Sequence, residues 1–63
     1  MKLTLKALRI SNGMLQTDVA TALNVNRKTI SAWESGKSMP KVGQIDAICS
    51  LFGVSYDDIK WKP

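Results

Sequence analysis

Between residues 26 and 37 the chain reads NRKTISAWESGK, one short helix's worth of sequence with two charges at its front. At 3.6 residues per turn, Thr29, Ile30 and Trp33 gather on one side, and Arg27, Lys28, Ser31, Ala32 and Ser35 occupy the other. The apolar stripe is narrow, and the opposite face is small, polar and cationic at its beginning. Two cations in a first turn oppose the helix dipole, so folding alone gives no reason to place them there. Such a face suits the binding of an anion; its bland alternative is a solvated helix start.

Other chemistries find little support. The chain has no histidine, and Cys49 is its single cysteine, so an internal disulfide is impossible and a zinc site nearly excluded. No nucleophile stands near a base and no glycine-rich motif could cradle a phosphate, which argues against an enzyme. No cofactor or metal is implied.

The charge distribution agrees with an anionic partner. Residues 1 to 41 hold seven cations (Lys2, Lys6, Arg9, Arg27, Lys28, Lys37, Lys41) against Asp18 and Glu34. Residues 42 to 63 hold Lys60 and Lys62 against Asp46, Asp57 and Asp58. One part of a small domain is therefore basic and the rest close to neutral, an electrostatic footprint for a polyanion, although many small proteins are basic without binding one.

Sixty-three residues make one domain, read here as 1 to 63, with no linker, repeat or low-complexity run. Stability is left to helix packing, with or without self-association, since disulfide and metal are not at hand. A lone cysteine and no signal sequence point to a reducing cytoplasm. No stretch approaches the roughly 20 apolar residues of a membrane span. The opening MKLTLKALRI reads as a first core helix with Leu5, Leu8 and Leu3 inward, rather than as a membrane anchor.

The elements that position the cationic face are expected to be helices throughout. Helix 1 covers about 3 to 11, with Thr4 as its cap and Gly13 as its stop. Helix 2 runs from about 16 to 23 with Val19, Ala20 and Leu23 inward; Leu15 offers no capping acceptor, and Asp18 partly offsets that through the dipole. In NVN (24 to 26), Asn24 can take the left-handed conformation, Val25 can tuck inside and Asn26 can cap helix 3, about 27 to 34. After the loop SGKSMP, helix 4 spans about 41 to 52, with Val42, Ile45, Ile48, Cys49 and Phe52 at helical spacing. Ser55 and Asp58 in SYDD resemble a capping box for a fifth helix. No segment reads as a strand. The expected fold is all-α, a compact five-helix bundle with a helix-turn-helix formed by helices 2 and 3.

The stretch LQTDVATALNVNRKTISAWESGKSMPKVGQIDAICSLFGVSYDDI resembles the phage repressor and Cro family, also called the Xre-type helix-turn-helix family. The resemblance covers roughly residues 3 to 59. Arg9, Gln16, Ala20, Ile30, Trp33, Glu34, Gly36, Lys37, Pro40 and FGVS at 52 to 55 follow the family's order and spacing. Leu15, Asn24, Lys41 and Gly43 depart from it, touching stability more than the cationic face.

The resemblance implies that helix 3 lies in a DNA major groove and that the start of helix 2 meets the backbone. Arg27 and Lys28 then become base contacts, with Ser31 and Ala32 continuing that face; Arg can bond guanine O6 and N7 bidentately, and Ala can touch a thymine methyl. Gln16, Asn26, Ser35, Lys37 and Lys41 become phosphate contacts, with Lys2 and Lys6 as secondary candidates. Arg9 and Glu34 are implied to pair across helices 1 and 3 as a structural ion pair. Trp33 and Cys49 are expected in the core, and Trp61 either in the core or in a dimer contact.

The function so implied is a sequence-specific, double-stranded DNA-binding transcriptional regulator, most simply a Cro-like repressor. One such module contacts few bases, so a homodimer on a palindromic operator is expected. Neither a membrane nor a small-molecule effector is expected as a partner. The main rival is a protein-interaction module of antitoxin or anti-repressor type on the same fold; RNA binding comes third.

Overall fold

The computed structural model describes residues 2–62. Four α-helices follow one another: α1 (Leu5–Ser11), α2 (Gln16–Leu23), α3 (Arg27–Ser35) and α4 (Val42–Phe52). A two-residue strand, β1 (Leu3–Thr4), precedes them, and a single 3-10 turn (Tyr56–Asp58) leads into a second, β2 (Ile59–Lys60). The two strands pair in parallel, Leu3 with Ile59 and Thr4 with Lys60.

This corrects two expectations. The bundle has four helices, not five, and the chain does contain strands. SYDD does start a turn: the Asp58 carboxylate accepts from both the Ser55 N–H and its hydroxyl, each at 3.0 Å. The turn then closes on the Ile59 N–H donating to the Tyr56 carbonyl, and Ile59 itself is extended. A helical nucleus gains little from one turn, and a β-branched residue is at ease in a pleated, buried strand. Ile59 is 2% exposed, so the extended path buries a whole side chain. Helix 1 also starts later than expected. Leu3 belongs to β1, and Thr4, extended at φ −67° and ψ 160°, caps α1 by accepting from the Ala7 N–H at 3.1 Å.

The four helices and β2 feed one core. Leu5 and Leu8 of α1, Val19 and Ala20 of α2, Ile30 and Trp33 of α3, Ile48 of α4 and Ile59 of β2 are buried together. Leu23, Val25, Cys49, Phe52 and Trp61 pack against them, half-buried. Trp61 also stacks on Tyr56, ring centroids 5.6 Å apart. Val42 departs from its expected place: as the first residue of α4 it is 78% exposed. Buried Pro40 tucks the chain in just before it.

Three of the helices stop in the same manner. Asn24, Gly36 and Gly53 take left-handed backbone at φ 57°, 80° and 67°. The next N–H in each case reaches back to a carbonyl of the last turn: Val25 to Ala20 at 2.9 Å, Lys37 to Ala32 at 2.9 Å, Val54 to Cys49 at 3.1 Å. This satisfies carbonyls that the helix leaves without partners. The helix-turn-helix angle is thus set by local bonds at residues 20 to 26.

Candidate nucleic-acid interface

Helix α3 begins at the turn just described, and Asn26 fixes its first residue by accepting from the Lys28 N–H at 2.9 Å. Helix α2 begins without a capping side chain at Leu15. Its Asp18 compensates by accepting from the Leu15 N–H at 2.7 Å. Both helix starts carry a long polar side chain in first position, Gln16 and Arg27.

Those two side chains meet. Arg27 Nη1 donates to Gln16 Oε1 at 3.1 Å. Gln16 Nε2 in turn donates to Glu34 Oε1 at 3.1 Å. Glu34 is held from the other side by Arg9, whose Nε donates to Oε2 at 2.7 Å and whose Nη2 donates to Oε1 at 3.2 Å. Arg9 completes its fork by donating from Nη1 to the Met14 carbonyl at 2.8 Å, while its own carbonyl accepts from the Met14 N–H at 3.1 Å. The result is one chain of hydrogen bonds, Met14–Arg9–Glu34–Gln16–Arg27, running from the α1–α2 loop to the first exposed residue of α3.

Electrostatically, this chain is graded. The Arg9 and Glu34 side chains are 10% and 5% exposed, and the two charges cancel. A buried charge needs such a partner and full hydrogen bonding. Arg27 at the outer end is exposed. Its guanidinium has five N–H donors, one of which goes to Gln16. The remaining donors face solvent in a direction that Gln16 restrains. Gln16 also keeps one amide proton in reserve, since only one is used on Glu34.

The remaining candidates divide by exposure. Lys28, Asn26, Ser35, Lys37 and Lys41 are exposed, whereas Ser31 and Ala32 are half-buried, so α3 is less open along its second turn than its sequence suggests. Ser35 Oγ donates to the Ala32 carbonyl at 3.2 Å, and the Lys41 N–H donates to Gln44 Oε1 at 2.8 Å, leaving the Lys41 ammonium outside the helix. Lys37 is informative by comparison. The residues that follow the left-handed stop of α2 and α4 are Val25 and Val54, packed on the core. The residue in that place after α3 is Lys37, exposed and cationic.

A cleft of about 210 Å³ opens beside this chain of bonds, lined by Lys6, Gln16, Ser31, Glu34 and Ser35. Arg27 links to Gln16 across a sequence separation that no helical period encodes, and the sequence offered no signal for it.

A helix-turn-helix family model matches residues 5–59. The chain belongs to the Cro/C1-type helix-turn-helix family. Three relatives are similar to it. An HTH-type transcriptional activator, BcrR, from Enterococcus faecalis is 36% identical over 55 residues, which is 87% of this chain and 27% of that protein. The antitoxin PezA of Streptococcus pneumoniae is 36% identical over 55 residues, 87% of this chain and 35% of that protein. An uncharacterised HTH-type transcriptional regulator from Methanocaldococcus jannaschii is 41% identical over 59 residues, 94% of this chain and 89% of that protein. This helix-turn-helix chain thus spans about a quarter to a third of the first two relatives and most of the third. Among the described residues, no helix is long and apolar enough to cross a membrane.

Proposed function

We propose that this chain is a sequence-specific, double-stranded DNA-binding transcriptional regulator, with α3 in the major groove and the start of α2 on the phosphate backbone. The observation that carries the reading is the Arg27–Gln16 hydrogen bond at 3.1 Å. It ties an exposed, forked cation at the start of α3 to the start of the preceding helix. Family membership supports it, as do one relative named as an HTH-type transcriptional activator and one named as an HTH-type transcriptional regulator.

In this reading Arg27 and Lys28 reach base edges, and half-buried Ser31 and Ala32 let the helix backbone approach closely. Gln16 offers its spare amide proton to a phosphate, and Asn26, Ser35, Lys37 and Lys41 meet the backbone on either side. Such contacts position the protein without reading sequence. Arg9 and Glu34 hold the frame. One α3 reads only a few base pairs, so a homodimer on a palindromic operator supplies the rest, with half-sites about 34 Å apart. Occupancy of the operator then represses by excluding polymerase from the cytoplasmic template.

Selection of bound sequences from a random duplex pool at physiological salt tests this reading. The expected result is a palindromic consensus with half-sites one helical turn apart. A pool that stays random after several rounds overturns it. The relative named as an antitoxin supports a second reading, a protein-interaction module on the same fold; an affinity for DNA that does not fall with salt favours that reading.

A further inference from the structure

The start of α4 carries a surface that packing within the chain does not explain. Val42, its first residue, is 78% exposed, more than any other large apolar side chain among the described residues. Gly43, its second, has right-handed helical backbone, and a Cβ built on it would meet nothing of the rest of the chain within 4 Å. Glycine is a poor helix former, and here neither a left-handed turn nor a crowded neighbour calls for it. A glycine so placed suits the close approach of a backbone from outside the chain. Lys41 and Asp46 stand on either side of it in the sequence, both exposed. Among the described residues neither has an ion-pair partner.

We propose that this surface is a two-fold contact with a second copy of this chain, in which the first turns of two α4 helices lie antiparallel across Gly43. The proposal deepens the homodimer of the reading above and rests on it. A closed pair of identical chains uses one patch twice, so residue i meets residue j and j meets i. A helix rises about 1.5 Å per residue, which puts Lys41 about 3 Å before Gly43 and Asp46 about 4.5 Å after it. An antiparallel two-fold beside Gly43 therefore sets each Lys41 against Asp46 of the other copy. Two ion pairs then flank a centre of glycine and valine. The patch is complementary to itself in charge, whereas Asp46 would repel a phosphate, which turns this surface towards a protein and not towards the duplex. Lys41 passes in this assignment from the phosphate backbone to the carboxylate of the second copy. The chain measures 28 × 23 × 20 Å. Two such copies with their α3 helices about 34 Å apart leave room for a small contact rather than a broad one.

Sedimentation equilibrium of the full chain without DNA, at low salt and at concentrations up to about 1 mM, tests the contact. Small interfaces associate weakly, so the series must reach that high. The wild type is expected to pass from monomer to dimer within it. Gly43→Gln, which fills the close approach, and Asp46→Lys, which sets like charges together, are each expected to weaken association about tenfold or more. Reversing the pair, Lys41→Asp with Asp46→Lys, is expected to recover most of what Asp46→Lys loses. Thermal melts of dilute samples check folding, and Gly43→Gln should melt no lower than wild type because its new side chain meets open space. A wild type that stays monomeric throughout overturns the contact. Single variants that associate as wild type overturn it too, since the dimer is then held elsewhere. A reversed pair no better than Asp46→Lys overturns the antiparallel pairing. None of these outcomes touches the selection from a duplex pool, which reports on DNA binding by itself.

Discussion

Arg27 and Glu34 share one intermediary: Gln16 accepts from Arg27 Nη1 at 3.1 Å and donates to Glu34 Oε1 at 3.1 Å. The exposed guanidinium is thereby referred, through two hydrogen bonds, to a buried ion pair. Residues in one network couple, and coupling appears as non-additivity in a double-mutant cycle. With Gln16→Ala, Arg27→Ala and the double variant measured on a selected operator, the double variant is expected to lose less affinity than the two single losses combined. Interaction energies for such contacts run to about 0.5–3 kcal/mol. Strict additivity would mean that Gln16 does not orient Arg27.

Arg27 and Lys37 are expected to fail differently. Losing Arg27 should remove about 1–3 kcal/mol of discrimination at one base pair per half-site, with weaker effects on unrelated DNA. Losing Lys37 should weaken binding to all sequences alike and flatten the salt dependence. Both side chains are exposed, so circular dichroism should show an intact fold. Binding by each variant to the operator and to its single-base variants makes the comparison. If Arg27→Ala weakens every site uniformly, Arg27 clamps phosphate and specificity lies with Lys28, Ser31 and Ala32 or with DNA shape.

The helix-turn-helix itself is legible in the sequence because its punctuation is local. Asn24 and Gly36 take left-handed backbone where the sequence asks for a stop, and Asn26 caps the helix that follows it. What the sequence hides is what depends on distant partners. Ser55 and Asp58 announce a helix start, yet the partner that decides the next residue is Leu3, at the other end of the chain. Val42 keeps the helical spacing of α4 but stands at its first position, 78% exposed, beyond the reach of the core. At the candidate interface, residue types could be assigned from the resemblance. The Gln16–Arg27 bond could not, since it joins two helices through flexible side chains.

The C-terminal strap is accordingly expected to matter for stability. Ile59→Ala removes a fully buried side chain from β2, and such truncations cost about 2–5 kcal/mol. That is a large share of the stability of a small domain. A thermal melt or urea titration reads it. A variant melting within a degree or two of wild type would mean that β2 frays freely and that the four helices hold the core without it.

Acid should loosen the same strap. The Ser55 N–H, then its hydroxyl, hold the Asp58 carboxyl below its ordinary range by bonding to the charged form. A carboxyl depressed on folding contributes stability that is fully present above its unfolded value, near 3.9, and is lost as pH falls through the lower folded value. Asp58→Asn, which lacks the charge at every pH, is expected to melt below wild type at neutral pH and to converge on it in acid. A gap between the two that stays constant with pH would assign the effect to packing rather than to the carboxylate.

The last expectation concerns the buried end of the hydrogen-bond chain. Glu34 accepts from Arg9 twice and from Gln16 once, and its side chain is 5% exposed. Glu34→Ala therefore leaves the buried Arg9 guanidinium with the Met14 carbonyl but no counter-charge, and breaking a buried pair from one side costs about 3–5 kcal/mol. Replacing both partners, Arg9→Met with Glu34→Leu, removes the stranded charge and is expected to recover much of that loss, because the pair's attraction roughly offsets its own desolvation. The two outcomes separate stability from function. The double variant should melt near wild type yet leave Gln16 without its Glu34 acceptor, so Arg27 loses its frame and discrimination at its base pair falls. Melting and operator binding of the single and double variants are the measurements. A double variant that folds and still discriminates as wild type would show that the ion pair serves the core alone and that Gln16 holds Arg27 unaided.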